Sequence, residues 1–225
     1  MFALAFAVIA YLIGLAGAGV FFAYVVGTGT GYLPRTEPTA GAGDWGKNVF
    51  LLTLFALQHS GMARLTFKQR LGVLGRSIYV ATSGIVVTAL VLFWEPLSGE
   101  PVWQGPIWIF AISVLGALGI IACCRWFDHG SFFGLTQAWT GESEIRGPLC
   151  IEGPYRYVRH PLMLGFLIAI WAQPIMPPEL LMMNVELTVY VLIAIPLEER
   201  DLVRDFGEEY ETYRTKVARL IPFVW

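Results

Sequence analysis

Three histidines and one acidic pair are the side chains here best suited to moving a proton or gripping a polar ligand: His59, His129, His160 and Glu198–Glu199. Histidine's ordinary pKa lies near neutrality, so it is the natural general base at physiological pH. His59 lies inside the apolar run Phe50–Met62, where an ionisable group is costly and is usually kept for function. His129 stands in a polar stretch and needs no such reason. The histidines come from separate segments with no HxxxH or HxxE spacing, so no metal site is expected. Cys123, Cys124 and Cys150 show no CxxC spacing, which predicts neither a disulfide framework nor a zinc knuckle. The adjacent pair Cys123–Cys124 reads as helix packing.

Membrane helices must position these groups. Of 225 residues, 56% are hydrophobic and 14% charged, and mean hydropathy is +0.61. Soluble domains carry about 25% charged residues, so the solvent for this chain is lipid. A net charge of −2 without a basic tail argues against nucleic acid as a partner. A span needs about 20 apolar residues. The candidate segments are Phe2–Val26, Val49–Met62, Ile78–Leu97, Ile107–Cys124, Leu162–Met176 and Leu180–Leu197, the second and fifth being short. The first has no basic start and is too long for a signal peptide, so it reads as a retained span. Gly27–Lys47, rich in Gly, Pro and Thr, reads as a flexible connection; no GK[ST] closes it as a phosphate loop would require. The expected fold is all-α: a polytopic integral membrane protein of one domain, residues 1–225, with about six hydrophobic segments, a helical hairpin and a C-terminal amphipathic helix. Of the fifteen Lys and Arg residues, only Arg35 and Lys47 fall outside the face shared by the loops after spans two, four and six. That face is cytoplasmic by the positive-inside rule. All three histidines fall on it.

The turn Pro177-Pro178-Glu179 makes the last two spans an antiparallel hairpin, which brings Arg159-His160-Pro161 beside Glu198-Glu199. Pro161 suits the first turn of a helix and keeps His160 extended. That helix start offers free N–H groups to a carboxylate. Glu198 and Glu199 are expected at a helix C-terminus, where negative charge is disfavoured unless a cation or hydroxyl donors offset it. A ligand with a carboxylate, an ammonium, a sulfonium and ribose hydroxyls matches both ends, and S-adenosylmethionine is one. A structural salt bridge between Arg159 and Glu198 fits the same geometry. Beyond it, Leu202, Phe206, Tyr210, Tyr213 and Val217 recur at helical spacing within Glu198–Arg219, which predicts an amphipathic helix on the cytoplasmic face.

The stretches Gly153-Pro154-Tyr155-Arg156-Tyr157-Val158-Arg159-His160-Pro161-Leu162-Met163-Leu164-Gly165-Phe166, Leu197-Glu198-Glu199-Arg200-Asp201-Leu202 and Phe206-Gly207-Glu208-Glu209-Tyr210-Glu211-Thr212-Tyr213 resemble the isoprenylcysteine carboxyl methyltransferase superfamily. The family's usual Tyr two residues after the Pro is Met163 here. Upstream, Phe55-Ala56-Leu57-Gln58-His59-Ser60-Gly61-Met62-Ala63-Arg64, Arg76-Ser77-Ile78-Tyr79-Val80 and Phe127-Asp128-His129-Gly130-Ser131-Phe132-Phe133-Gly134-Leu135-Thr136-Gln137 are similar to bacterial methanethiol S-methyltransferases, with part of the pattern shared by nitrite-reduction accessory membrane proteins.

The resemblance implies an S-adenosylmethionine-dependent enzyme of the bacterial inner membrane, its site facing the cytoplasm, that converts methanethiol to dimethyl sulfide. It implies cofactor contacts from Tyr157, Arg159, His160, Pro161, Leu162, Gly165, Glu198 and Glu199, in a cofactor-binding half over about residues 125–225. His59 is the first candidate for the base and His129 the second. Asp128 cannot orient His129, since sequence neighbours point apart on a helix, but can reach His59 or Arg64. Arg64, Gln137 and Tyr79 are candidates to fix the base or the pocket mouth. Trp126, Phe127, Phe132 and Phe133 can line an apolar pocket or anchor at the interface. Two alternatives stay open: methylation of a lipid-borne group, such as an isoprenylcysteine carboxylate or a phospholipid amine, and a non-enzymatic accessory protein for denitrification. Orientation is testable in a background lacking the native cysteines. An impermeant thiol reagent added to intact cells should label a cysteine at Glu100 and miss one at Asp205; labelling at Asp205 would reverse the orientation.

Overall fold

The computed structural model describes residues 2–34, 45–143, 145 and 147–222, apart from the side chain of Leu65. Arg35 and Arg146, both used above for orientation, lie outside the described residues. In chain order the α-helices are α1 (Phe2–Thr30), α2 (Trp45–Ala63), α3 (Leu65–Arg70), α4 (Gly75–Phe93), α5 (Ile109–Cys123), α6 (His129–Phe133), α7 (Leu135–Thr140), α8 (Pro161–Trp171), α9 (Pro178–Phe206) and α10 (Glu208–Lys216). Strand among the described residues is confined to an antiparallel pair, β1 (Trp103–Gln104) and β2 (Ile175–Met176), with Trp103 opposite Met176. The protein is therefore all-α. The stretches Phe2–Thr30, Gly72–Phe93 and Pro178–Phe206 are long and apolar enough to cross a membrane. At ~1.5 Å per residue α1 and α9 each run about 44 Å, more than the ~30 Å hydrocarbon layer, whereas α5 and α8 run only about 22 and 16 Å. Large apolar side chains face outward, among them Leu57 (69% exposed), Leu92 (72%) and Leu115 (66%), as lipid contact requires.

The chain divides into two compact units that interleave along the sequence. One comprises residues 1–104, 129–146 and 175–183, and the other residues 105–128, 147–174 and 184–225.

In the first unit α1 and α4 pack through small residues. A Cβ on Gly17 would lie 2.4 Å from the Gly84 carbonyl oxygen, and one on Gly84 2.5 Å from that of Ile13. In lipid no hydrophobic drive joins two helices, so close backbone approach and dispersion do the work. α2 runs antiparallel to α4. At one end Asn48 trades hydrogen bonds with the Glu95 backbone, its Nδ2 donating to the carbonyl and its Oδ1 accepting from the N–H, both at 2.9 Å. Lys47 pairs with the Glu95 carboxylate beside them. At the other end lie His59 and Tyr79.

In the second unit α5 and α8 meet as closely. A Cβ on Gly116 would stand 2.7 Å from both the Gly165 carbonyl oxygen and the Ala169 nitrogen. α8 stops at Trp171, five residues short of the expected Met176. Pro174 has no N–H to continue the ladder, and Gln173 folds back to take up the end. Its fully buried amide donates to the Ala169 carbonyl at 2.7 Å and to Ser113 Oγ at 3.0 Å. The hairpin forms as expected, with rungs from Asn184 Nδ2 to the Ile170 carbonyl (2.8 Å) and from Trp171 Nε1 to Thr188 Oγ1 (2.9 Å). α9 departs from expectation at its far end. It runs without a break to Phe206, so Glu198 and Glu199 lie within the helix and not at its C-terminus. Gly207, at φ +56°, makes the break that starts α10, and Glu198–Phe206 belongs to α9 instead of a separate amphipathic helix. Leu220 returns against Val191 and Ile195 of α9.

Gly116→Leu should lower the unfolding temperature in detergent sharply, since overpacking typically costs about 1–3 kcal/mol or more. Gly119→Leu on the same helix, where an added Cβ meets nothing within 4 Å, should leave it within a degree or two of the parent protein (roughly ±0.5 kcal/mol). Equal effects from both would remove the interface as the cause.

Candidate active site

In the second unit, Glu199 is the centre of a buried ion cluster. Its side chain is 5% exposed, and its carboxylate meets Arg159 Nε at 2.8 Å, His160 Nε2 at 3.4 Å and Arg219 Nε at 3.4 Å. A lone carboxylate buried in mid-helix would cost several kcal/mol, and charged partners that also hydrogen-bond offset this. Arg159, 8% exposed in its side chain, also donates Nη1 to the carbonyls of Arg214 (2.5 Å) and Val217 (3.1 Å) at the end of α10. Guanidinium charge suits these unpaired helix-end carbonyls. The backbone follows: Arg159 N–H donates to the Ala218 carbonyl (2.9 Å) and His160 N–H to that of Arg219 (3.2 Å). The Arg-His-Pro segment is thus zipped to the C-terminal strap. The salt bridge of Arg159 is to Glu199, not the Glu198 that the sequence suggested as its partner.

Glu198 has a different environment. Its side chain is 50% exposed, 3.8 Å from His160 Nδ1. His160 itself is buried at 5% exposure, just ahead of Pro161 at the first position of α8. Tyr210 of α10 is a further buried group of this unit. Its hydroxyl is buried and has no hydrogen-bond partner among the described residues. Burial, helped by the neighbouring Glu199 carboxylate, pushes its pKa well up, so the phenol stays protonated and can donate. The Tyr213 ring stands 5.9 Å from that of Tyr210, its hydroxyl donating to the Tyr155 carbonyl at 2.6 Å, with burial raising its pKa to about 12. Among the other residues expected at this site, Leu162 is half-buried and Tyr157 is 64% exposed. Gly165 lies in the α5–α8 contact, where a Cβ would come 2.9 Å from the Gly116 carbonyl oxygen. Trp126 stands over Gly153, 2.2 Å from where a Cβ would be, and its carbonyl accepts from Cys150 Sγ.

In the first unit the structure joins His59 and His129 through one aromatic network. His59 Nε2 is 2.8 Å from the Tyr79 hydroxyl, and the Phe55 ring lies 5.3 Å away at a 34° tilt. The Arg76 guanidinium sits over the rings of Tyr79 (5.9 Å) and Phe132 (5.0 Å) and donates Nε to the Phe132 carbonyl at 2.6 Å. Phe132 packs on Phe133 at 5.0 Å, and Phe133 on His129 at 4.6 Å. His129 Nε2 is 3.0 Å from the Tyr11 hydroxyl. Gly134 makes this possible. At φ +90° it turns α6 into α7, and a Cβ there would fall 2.6 Å from Ser77 Oγ. Gln137 is 7% exposed and donates Nε2 to the Ser131 carbonyl at 3.0 Å, so it holds the α6–α7 turn. Arg64 stands at the start of α3, where its carbonyl accepts from Phe67 and Lys68. Asp128, in the second unit, is exposed and directly precedes α6, a position where Asp is favoured. Among the described residues no three His, Cys, Asp or Glu side chains gather as a metal would need.

Several of these groups lay beyond sequence reasoning. Arg219 counted only as one more basic residue of the cytoplasmic face. Tyr11 sat in a segment legible only as a span. Arg76 stood in a quoted motif without a role. A polar group breaking an apolar run, as Tyr11 does, was the one signal that could have pointed to its partner.

The chain is 36% identical to methanethiol S-methyltransferase 2 of Bradyrhizobium diazoefficiens over 94% of its length and 88% of that protein's. It is 38% identical to the methanethiol S-methyltransferase of Crocosphaera subtropica over 79% of its length and 74% of that protein's. The corresponding figures for the Mycobacterium tuberculosis protein of that name are 34%, 91% and 91%. No family model matches the chain, and no solved structure does.

Replacing Glu199 by Ala strands Arg159 as a buried charge and should cost about 3–5 kcal/mol. Glu198→Ala, on a half-exposed side chain, should stay within roughly 0.5 kcal/mol of the parent. Thermal unfolding in detergent distinguishes them; equal losses would mean that the two carboxylates share one structural role.

Proposed function

We propose, for a chain that belongs to the methanethiol S-methyltransferase family, that the protein methylates methanethiol to dimethyl sulfide with S-adenosylmethionine as donor. The observation that carries this reading is identity to relatives named for that reaction, spread over most of the chain and not confined to one motif. The alternatives of a lipid-borne acceptor and of a non-enzymatic accessory role are not favoured by it.

The residues present fit the cofactor. A half-exposed carboxylate, a buried imidazole at a helix start and a buried phenol lacking a partner cluster in one unit. An unsatisfied buried donor costs about 1–3 kcal/mol, which a ligand acceptor relieves. In this reading Glu198 meets the hydroxyl or ammonium donors, and His160 and the α8 start meet the carboxylate. Tyr210 donates from α10, and Pro161 and Leu162 form the apolar wall. Arg159 and Glu199 hold that frame and touch the ligand less. When bound, S-adenosylmethionine supplies a sulfonium methyl open to in-line displacement.

The protein's share is alignment, exclusion of water and removal of one proton. A thiol attacks well only as thiolate. His59 is the base and takes the S–H proton, with His129 second in line. Arg64, Asp128 and Gln137 are further candidates on the catalytic side, Gln137 through the α6–α7 turn it holds. The catalytic end faces the cytoplasm of the bacterial inner membrane, in keeping with the bias of basic residues to the α2–α4 and α5–α8 connections and the chain end.

His160→Ala and Glu198→Ala should each weaken S-adenosylmethionine binding measured by titration calorimetry, and the double variant should fall short of additivity. Unchanged affinity in both single variants would make the hairpin purely structural. His59→Ala should bind the cofactor normally but lose about 10²–10⁴-fold in turnover. The deficit should shrink as pH rises, because solution then supplies thiolate. A matching loss in His129→Ala, with His59→Ala near normal, would move the role to His129.

A further inference from the structure

One ring nitrogen of His59 is buried and the other is engaged by a neighbour. Its Nδ1 is closed off from solvent. Its Nε2 faces the Tyr79 hydroxyl at 2.8 Å. Phe55 covers one face of the imidazole, and the Tyr79 ring stands 5.2 Å away at 53°. While Tyr79 holds this position, its hydroxyl occupies the Nε2 side that a thiol would need. Both side chains are partly buried, and with Nδ1 closed off the Tyr79 hydroxyl stands at the other ring nitrogen, Nε2.

We propose that the Tyr79 hydroxyl is the catalytic group that meets the thiol and relays its proton to His59. The proposal rests on the reading that His59 is the base. The S–H bond breaks as a new O–H forms on Tyr79. The original Tyr79 O–H breaks as N–H forms at His59 Nε2. Sulfur is left as thiolate and His59 as imidazolium. After methyl transfer the proton returns through Tyr79 to solvent, which restores both residues.

The surroundings suit such a relay. Arg76 from α4 and Lys68 from α3 stand 5.9 and 6.0 Å from the Tyr79 ring centroid, at the reach of a cation–π contact. Positive charge beside the ring favours a thiolate formed there. On the far side of Phe132 and Phe133, His129 of α6 is held by Tyr11 of α1. That second imidazole is engaged elsewhere. The α2 partner, His59, is a titratable acceptor within hydrogen-bond distance of the Tyr79 hydroxyl. Arg76 thereby gains a role from its own motif: it is the fixed charge of the relay, held by the Phe132 carbonyl.

The test uses the full-length protein in lipid vesicles with methanethiol and S-adenosylmethionine, with headspace dimethyl sulfide read from about pH 6 to 10, a range that brackets thiol ionisation. Tyr79→Phe keeps the ring and its packing but removes the relay atom. It should lose about 10²-fold or more in kcat, recover as pH rises, bind S-adenosylmethionine normally, and add nothing to the loss in His59→Ala. A ring-fluorinated tyrosine at position 79, with a more acidic phenol, should restore turnover and move the pH inflection downward. Mere packing would not move it. Tyr79→Phe within a few-fold of the parent with an unmoved profile, beside a crippled His59→Ala, overturns the relay and leaves His59 as a direct base. Normal turnover in His59→Ala overturns the base assignment itself, and the relay with it.

Discussion

A carboxylate buried inside a membrane helix has to be neutralised, and the second unit is organised by that demand at Glu199. Three cationic or ionisable partners converge on it, drawn from the start of α8 and from the C-terminal strap. Because Arg159 also holds the carbonyls that end α10, one charge joins the hairpin, the terminal helix and the chain end. Loss of Glu199 leaves Arg159 as an uncompensated buried charge, and loss of Arg159 does the same to Glu199, so the pair behaves as a unit. Glu198, one residue away and turned about 100° round the helix, escapes this demand. One carboxylate builds the frame, and its neighbour stays accessible to a ligand.

Packing in lipid imposes the second constraint. The α1–α4 and α5–α8 contacts both depend on glycines that let backbones touch, as expected where burial of apolar surface gives no net drive. Close approach leaves little slack for side chains on the neighbouring turns. That rigidity serves the chemistry, because Arg76 and Tyr79 sit on the same helix as Gly84 and share its placement.

The first unit places a different kind of polar group at a helix end. His59 and His129 each contact a tyrosine hydroxyl, and Arg76 lies across aromatic faces in the same network. An aromatic wall flanks these polar contacts. It also suits a small, weakly polar thiol better than open water would.

What the sequence alone determined follows from composition and local pattern. Apolar runs, sparse charge and biased arginines were enough for an all-α membrane protein. The Arg-His-Pro and Glu-Glu motifs, with the tight turn between their spans, were enough for the hairpin and its two ends. Those signals are local or nearly so, and lipid leaves few folds that satisfy the backbone. Tertiary structure alone decided which carboxylate is buried, because Glu198 and Glu199 are chemically identical and differ only in helical direction. It decided that α9 runs past them, since apolar periodicity ends where the charges begin while the hydrogen-bond ladder does not. It decided the partners of Arg219, Tyr11 and Tyr79, which come from elements far apart in the chain. Such pairings depend on how side chains meet across packed helices, and no spacing within one segment encodes that.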